Sequence, residues 1–332
     1  MPRLSKSDLL NVIVSAVEEC GWNVLYLSST HPFRLQIYSA EESYRVRIYV
    51  WNITHGGGRA RPAHEYRIQI TGIDRFEPEP SGKTLILGWW SEANVFAGFD
   101  FTRHSGLLGA SPSLQIREED LRQAYVNGFS PCPKENQEIA IAFRPDFIVE
   151  YIRNLETLHR FGEAPQDLAA LESVARAPEA INDADLQTVS PERRVVVKSV
   201  QQRMRSSSFR SRVLTAYSRG CAFCGLQLDL VQAAHILPVS HERSTDGTYN
   251  GVAACFLHHA AYDRGLIAFD EKYRVLVNAE AMRRFMKMHR DGGMGKFKSA
   301  LKRSILLPPA TSDRPHRDFV NLANQIRGWP KP

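Results

Sequence analysis

The feature that most constrains this chain is a pair of short cysteine spacings. Cys221 and Cys224 are separated by two residues, and further along Cys255 and His258 repeat that spacing. Two thiolates so spaced face one ion from a single turn, and Gly225 supplies the permissive backbone that such a knuckle uses. Together Cys221, Cys224, Cys255 and His258 fit a tetrahedral Cys3His zinc site, which would clamp the two ends of a stretch that has little core of its own. The blander alternative makes Cys255 a small buried hydrophobe and His258 a surface residue. The chain has five cysteines, and the other two, Cys20 and Cys132, stand alone. An odd count with three clustered suits metal ligation in a reducing compartment better than disulfides.

Between the two pairs lie further reactive side chains. His235 closes the apolar strand VQAAHI, which Pro238 ends. His259 and Asp263 are four apart in CFLHHAAYD, so on a helix they share a face and can grip a divalent cation with nitrogen and oxygen. Asn250 precedes Gly251, where an amide can bond loop backbone and hold a neighbouring histidine in one orientation.

Charge is distributed unevenly. The net charge of +6 resolves, on counting, into −2 over residues 1–160, −6 over 161–192 and +14 over 193–332. The basic region favours a polyanion, and nucleic acid is the commonest one. Hydrophobic residues at 43% and charged residues at 23% exclude a disordered chain. No apolar run approaches the length of a membrane span, so no membrane partner is expected. The start, MPRLSKSDLLNVIVSAVEECGW, reads as an amphipathic helix of a cytoplasmic protein, with Leu9, Leu10, Ile13, Val14 and Val17 on one face and Ser5 or Ser7 as its cap.

After that helix the period changes to two. WNVLYLSS, FRLQIYSA, YRVRIYVWNIT, YRIQITGI, TLILGWW and NVFAGFD predict a strand-rich, mainly antiparallel domain, followed by helices in REEDLRQAYVNGF and RPDFIVEYIRNLETLHRF. Residues 161–192 are rich in Ala, Asp, Glu and Pro and read as an acidic linker with one short helix around 168–176. A basic helix then leads into the cysteine pair. Past residue 280 a helix, a Gly-rich turn and a second basic helix suit a phosphate backbone. In the N-terminal domain, the Gly-rich segment HGGGRARPAHEYRIQI carries Arg59 and Arg61 on a loop that fits a DNA groove or an ordinary hairpin tip. Trp89 and Trp90 fit core packing better than stacking on an extruded base.

The stretch from 221 to 270 resembles the HNH, or ββα-metal, nuclease motif. The family's first His matches His235 in AAHILPVS, its Asn matches Asn250 in NGVAAC, and its last His matches His259 in LHHAAYD. The resemblance implies a two-stranded hairpin and a helix around one divalent ion, Mg2+ or Mn2+. His235 would be the general base, His259 and Asp263 the metal ligands, and Asn250 the residue that fixes the loop. Many relatives carry an Asp or His ligand just before the first His. Here Ala234 stands there, leaving water, phosphate oxygens, His241, Asp246 or His258 to complete the shell. Arg243 and Arg264 are placed to meet phosphates or simply to be solvated.

The expectation is therefore an α+β chain: a strand-rich mixed domain over 1–160 that recognises DNA, an acidic linker over 161–192, and a ββα-metal (HNH) nuclease domain with basic flanking helices over 193–332. The expected activity is hydrolysis of phosphodiester bonds in double-stranded DNA by a restriction or defence endonuclease. A site that cuts one strand must act twice on a duplex, which suggests a homodimer. The rival readings are a zinc-braced DNA-binding regulator with a degenerate HNH fold, and a nuclease whose N-terminal domain senses a ligand or a protein.

Overall fold

The structure is a computed structural model that describes residues 3–55 and 64–329. It divides into two compact units, Met1–Arg205 and Ser206–Pro332.

The first unit opens with α1 (Lys6–Glu19), capped by Ser5, whose side chain and Asp8 form a reciprocal capping box. Its expected apolar face, Leu9, Leu10, Ile13, Val14 and Val17, is buried. Strands β1 (Asn23–Ser28), β2 (Phe33–Tyr38), β3 (Ser43–His55), β4 (Glu65–Gln69), β5 (Lys83–Trp90) and β6 (Val95–Phe99) follow the predicted runs. After them come β7 (Ser113–Arg117), α2 (Glu118–Asn127), β8 (Phe129–Pro133), β9 (Ile139–Phe143), α3 (Ile148–Arg153) and α4 (Leu155–His159). The sheet runs β1-β2-β3-β5-β6-β9-β8, with β4 pairing β3 and β7; among the described residues only β3 and β5 pair in parallel.

Both faces of this sheet are covered, which is why its central strands read as continuous apolar runs. Along β3, Val46, Ile48 and Val50 enter one core while Tyr49, Trp51 and Ile53 enter the other. Trp89 and Trp90 divide in the same way and are 4% and 3% exposed, so neither is available to stack on a base.

Residues 161–192, expected as a linker, are part of this unit. They form α5 (Pro165–Arg176), and Leu171, Val174, Ala175, Leu186 and Val189 are buried in the same core as α1. The acidic character that suggested a linker is put to use: Asp167 accepts bonds from the Ser190 N–H and hydroxyl and pairs with Arg193. The boundary between the units therefore falls at 205/206, inside α6 (Pro191–Ala216), rather than at 192/193. A few apolar residues at helical spacing outweigh a polar composition once a large core is beside them.

The second unit contains the rest of α6, then β10 (Val231–His235), β11 (Gly251–Cys255), α7 (Phe256–Asp263), β12 (Ile267–Phe269), β13 (Val275–Val277), α8 (Ala279–Lys287), α9 (Met294–Ala300) and α10 (Arg317–Ile326). β10 and β11 form an antiparallel hairpin in which His235 lies opposite Gly251, and α7 follows β11 without a loop. Phe209, Val213, Phe223, Val252, Tyr262 and Phe269 fill its core. The two basic helices expected past residue 280 are α8 and α9. Arg59 and Arg61 lie outside the described residues. Among the described residues, no helix is long and apolar enough to cross a membrane.

Candidate active site

The hairpin and α7 bring the sequence-predicted residues into three small groups. The first is the sulfur cluster. The ligand atoms of Cys221, Cys224, Cys255 and His258 all lie within 4.8 Å of one another, a spread that suits tetrahedral coordination at metal–ligand distances of about 2–2.3 Å. The knuckle closes by a bond from the Gly225 N–H to the Cys221 carbonyl, and Gly225 adopts φ +86°, a region open mainly to glycine. His258 is buried, with Nδ1 3.5 Å from Cys221 Sγ and 3.2 Å from Cys255 Sγ. Its Nε2 has no hydrogen-bond partner among the described residues. A buried imidazole tied to nothing but two sulfurs fits a ring held by an ion between them.

The thiols behave accordingly. Burial opposes ionisation of Cys221, but the His258 ring and the backbone N–H groups of Cys255, Cys224 and Phe223 outweigh it and bring the group down to about 6. Burial, together with the neighbouring Cys221 sulfur, pushes Cys224 up to about 12. Three adjacent sulfurs cannot all carry charge unaided, and a bound cation would let them do so.

The second group is on α7. One turn apart on the same face, His259 Nε2 and Asp263 Oδ2 are 3.3 Å apart, as the four-residue spacing predicts. On the other side of the ring, Nδ1 is 2.7 Å from Gln232 Oε1 on β10. An amide oxygen only accepts, so Nδ1 donates to Gln232, and Nε2 is the ring nitrogen that faces Asp263. Asp263 is exposed, with its side chain 58% accessible, so the pair opens to solvent. Sequence reasoning missed Gln232, because a glutamine in an alternating strand carries no signal of the side chain it will meet.

The third group surrounds His235 at the end of β10. Its Nε2 lies 3.0 Å from Asp246 Oδ1, and its ring stacks on Phe209 of α6 with centroids 3.8 Å apart and planes 12° from parallel. Among the described residues, the Cys3His cluster is the only set of three or more His, Cys, Asp or Glu groups gathered at metal-binding distance. His235 is therefore not a third ligand to the His259–Asp263 pair. Nor is His258, whose ring belongs to the sulfur cluster.

Asn250 is fully buried and spans the turn between the strands. Its Oδ1 accepts from the Leu237 N–H at 2.9 Å, and its Nδ2 donates to the Thr245 carbonyl at 2.8 Å, the Ser244 hydroxyl at 3.2 Å and the Leu237 carbonyl at 3.3 Å. The amide thus fixes the loop from 237 to 245 that leads into Asp246. The next residue, Gly251, is required by packing: a Cβ there would lie 2.2 Å from Val213 and 3.0 Å from Phe209, so only glycine lets α6 approach His235 this closely. Arg243 and Arg264 are exposed.

Residues 221–270 match a family model described as HNH endonuclease, and residues 44–152 match one described as Methylase-associated X1. No curated protein matches the chain. Among solved structures, one described as a modification dependent TagI restriction endonuclease aligns over 86% of this chain and 81% of its own, at 12% identity and a TM-score of 0.30. The match over 221–270 takes in the β10–β11 hairpin and α7, so it is the C-terminal region of the chain that carries an HNH endonuclease domain.

Proposed function

We propose that the chain is a metal-dependent DNA endonuclease of the restriction type, in which His235 takes the proton from the attacking water and His259 with Asp263 hold a divalent ion, Mg2+ or Mn2+. Zinc is the proposed occupant of the Cys221, Cys224, Cys255 and His258 cluster. The observation that carries this reading is the orientation of His259. Its Nδ1 is engaged by Gln232, so its Nε2 and Asp263 Oδ2 form a nitrogen–oxygen pair that opens to solvent. His259 and Asp263 would hold the divalent ion, which when bound would offset charge developing on the scissile phosphate and on the leaving 3′ oxygen. Imidazole is the side chain whose ordinary range lets it accept a proton near neutral pH, and His235 stands half-buried at the end of the same hairpin. Exposed Arg264, adjacent to Asp263, and Arg243, in the loop after His235, are proposed to meet backbone phosphates, which position a duplex without reading its sequence.

The sheet domain is proposed to choose where the nuclease acts. The support is its match to a model whose description associates it with methylases, since restriction and methylation act on the same sites. Arg59 and Arg61 remain candidates for that contact.

The test is cleavage of supercoiled plasmid by the purified chain in Mg2+ or Mn2+, with and without chelator, on modified and unmodified DNA. His235→Ala is expected to abolish cutting while leaving DNA affinity unchanged. A His235→Ala protein that cuts at the parental rate removes His235 from the mechanism, and cutting that survives complete chelation removes the ion.

A further inference from the structure

The reading of His235 as the base leaves open which ring nitrogen reacts and what holds it. An imidazole is a usable base only in the tautomer that aims a lone pair at the water, and the partner of the other nitrogen sets that tautomer. Three contacts around His235 bear on this. Asp246 Oδ1 lies 3.0 Å from Nε2. Phe209 lies flat against the ring at 3.8 Å between centroids, which restricts rotation of the imidazole plane. Asp246 is itself anchored, because Arg212 Nη2 donates to its backbone carbonyl at 2.6 Å. Phe209 and Arg212 sit three residues apart on α6, so one helix braces both the ring and the loop that carries the carboxylate.

We propose that Asp246 is the positioning residue of the nuclease site: its carboxylate holds the His235 proton on Nε2, so that Nδ1 is the nitrogen that accepts the proton from water, with Phe209 setting the plane of the ring. Asp246 is thereby assigned to the base, not to the coordination position that Ala234 leaves unfilled. In the step so described, an O–H bond of water breaks and its proton goes to Nδ1. The water oxygen bonds to phosphorus, and the bond from phosphorus to the 3′ oxygen breaks with its electron pair leaving on that oxygen, which takes a proton from solvent. The imidazolium formed carries N–H groups on both nitrogens, and the Asp246 carboxylate stabilises it through the bond already in place.

This inference rests on the proposal that His235 is the base, and the test separates the two. The full-length protein, labelled with 15N at histidine, is examined by long-range 1H–15N correlation, with the His235 ring assigned by its loss in His235→Ala. The ring is expected to carry its proton on Nε2, and Asp246→Asn is expected to lose that preference. In single-turnover cleavage, Asp246→Asn is expected to fall about 10–100-fold in rate with DNA affinity within twofold of the parent, and Asp246→Glu, which keeps the carboxylate, to recover part of the loss. Asp246→Asn is nearly isosteric, and the bond from Arg212 goes to the backbone. If a variant nonetheless misfolds, the tautomer in the unaltered protein still decides. A parental cleavage rate in Asp246→Asn, or a proton on Nδ1 in the unaltered ring, overturns the inference. If His235→Ala is inactive while Asp246→Asn cuts normally, only the role of Asp246 is lost; if His235→Ala cuts normally, the base assignment fails with it.

Discussion

Asn250→Ala isolates the contribution of a single buried amide to the architecture of the site. In the parent, one acceptor and two donor hydrogens serve Leu237, Ser244 and Thr245, and none of the side chain is exposed. Removing it strips the buried Leu237 N–H and the Thr245 carbonyl of their shortest partners. Each such bond contributes roughly 0.5–1.5 kcal/mol net, and a donor left buried without a partner costs about 1–3 kcal/mol. The loop is therefore expected to lose about 2–4 kcal/mol, with the low end reached if a water enters the vacated space. Hydrogen exchange followed by mass spectrometry reads this directly. Amides of 236–250 that exchange by local opening should speed up by about thirty-fold to several-hundred-fold, at 1.4 kcal/mol per decade. Cleavage should fall with them, because the same loop carries Asp246 to His235. Asn250→Asp keeps the acceptor but turns a charged oxygen on two carbonyls, and should be at least as costly. Exchange in 236–250 that changes by less than threefold in Asn250→Ala would refute the argument that this amide holds the loop.

Three further outcomes are expected. Cys255→Ser should lower the zinc content of the purified protein from one ion per chain toward none, measured by elemental analysis, and speed exchange around 221–226 and 255–258. Gln232→Leu removes the acceptor on His259 Nδ1 and should weaken Mn2+ binding at the His259–Asp263 pair by about 10–100-fold in a direct titration; unchanged affinity would show that Gln232 does not orient the ring. In the sheet unit, Glu138 is opposed by burial but held by His104 at 3.0 Å and Lys134 at 2.8 Å, which together lower it from 4.5 to about 2. Such a carboxylate stabilises the fold fully above its unfolded value near 4.5, and the stabilisation is lost as pH falls toward 2. Stability measured by circular dichroism from pH 6 to pH 2 should therefore fall less steeply in Glu138→Gln than in the parent.

How much of this was legible depended on whether a side chain's partner lay nearby in sequence. The Cys221–Cys224 and Cys255–His258 pairs and the His259–Asp263 pair rest on intervals of three or four residues, and local geometry translates such intervals into proximity. The face of α1 and strands β1 to β6 could be read for the same reason. Gln232 meeting His259, and Phe209 meeting His235, are set by how α7 and α6 pack on the hairpin, and no period in the sequence encodes that. The acidic stretch 161–192 was misread because its composition is polar while its few apolar residues, Leu171, Val174, Leu186 and Val189, are the ones that bury. Strands β8 and β9 were missed, and Pro131 and Pro133 interrupt the first of them. Pro is tolerated in β8 because it is an edge strand.

His258 and His259 are neighbours in sequence yet belong to different sites, and the reason lies in the start of α7. One residue along a helix turns the side chain by about 100°, so the first ring points inward to the sulfurs while the second meets Gln232 and Asp263. α7 has eight residues and no side chain capping its first turn, and helices so short are not stable on their own. Cys255 is its N-cap residue and His258 lies in its first turn, so the proposed zinc would bind across the missing cap. By joining the end of β11 to α7 it would set how far the helix is rotated about its axis, and that rotation decides where His259 and Asp263 point. On this argument the four residues of the sulfur cluster would act on cleavage without touching DNA or the proposed catalytic ion: they would fix the direction of the residue that follows one of them.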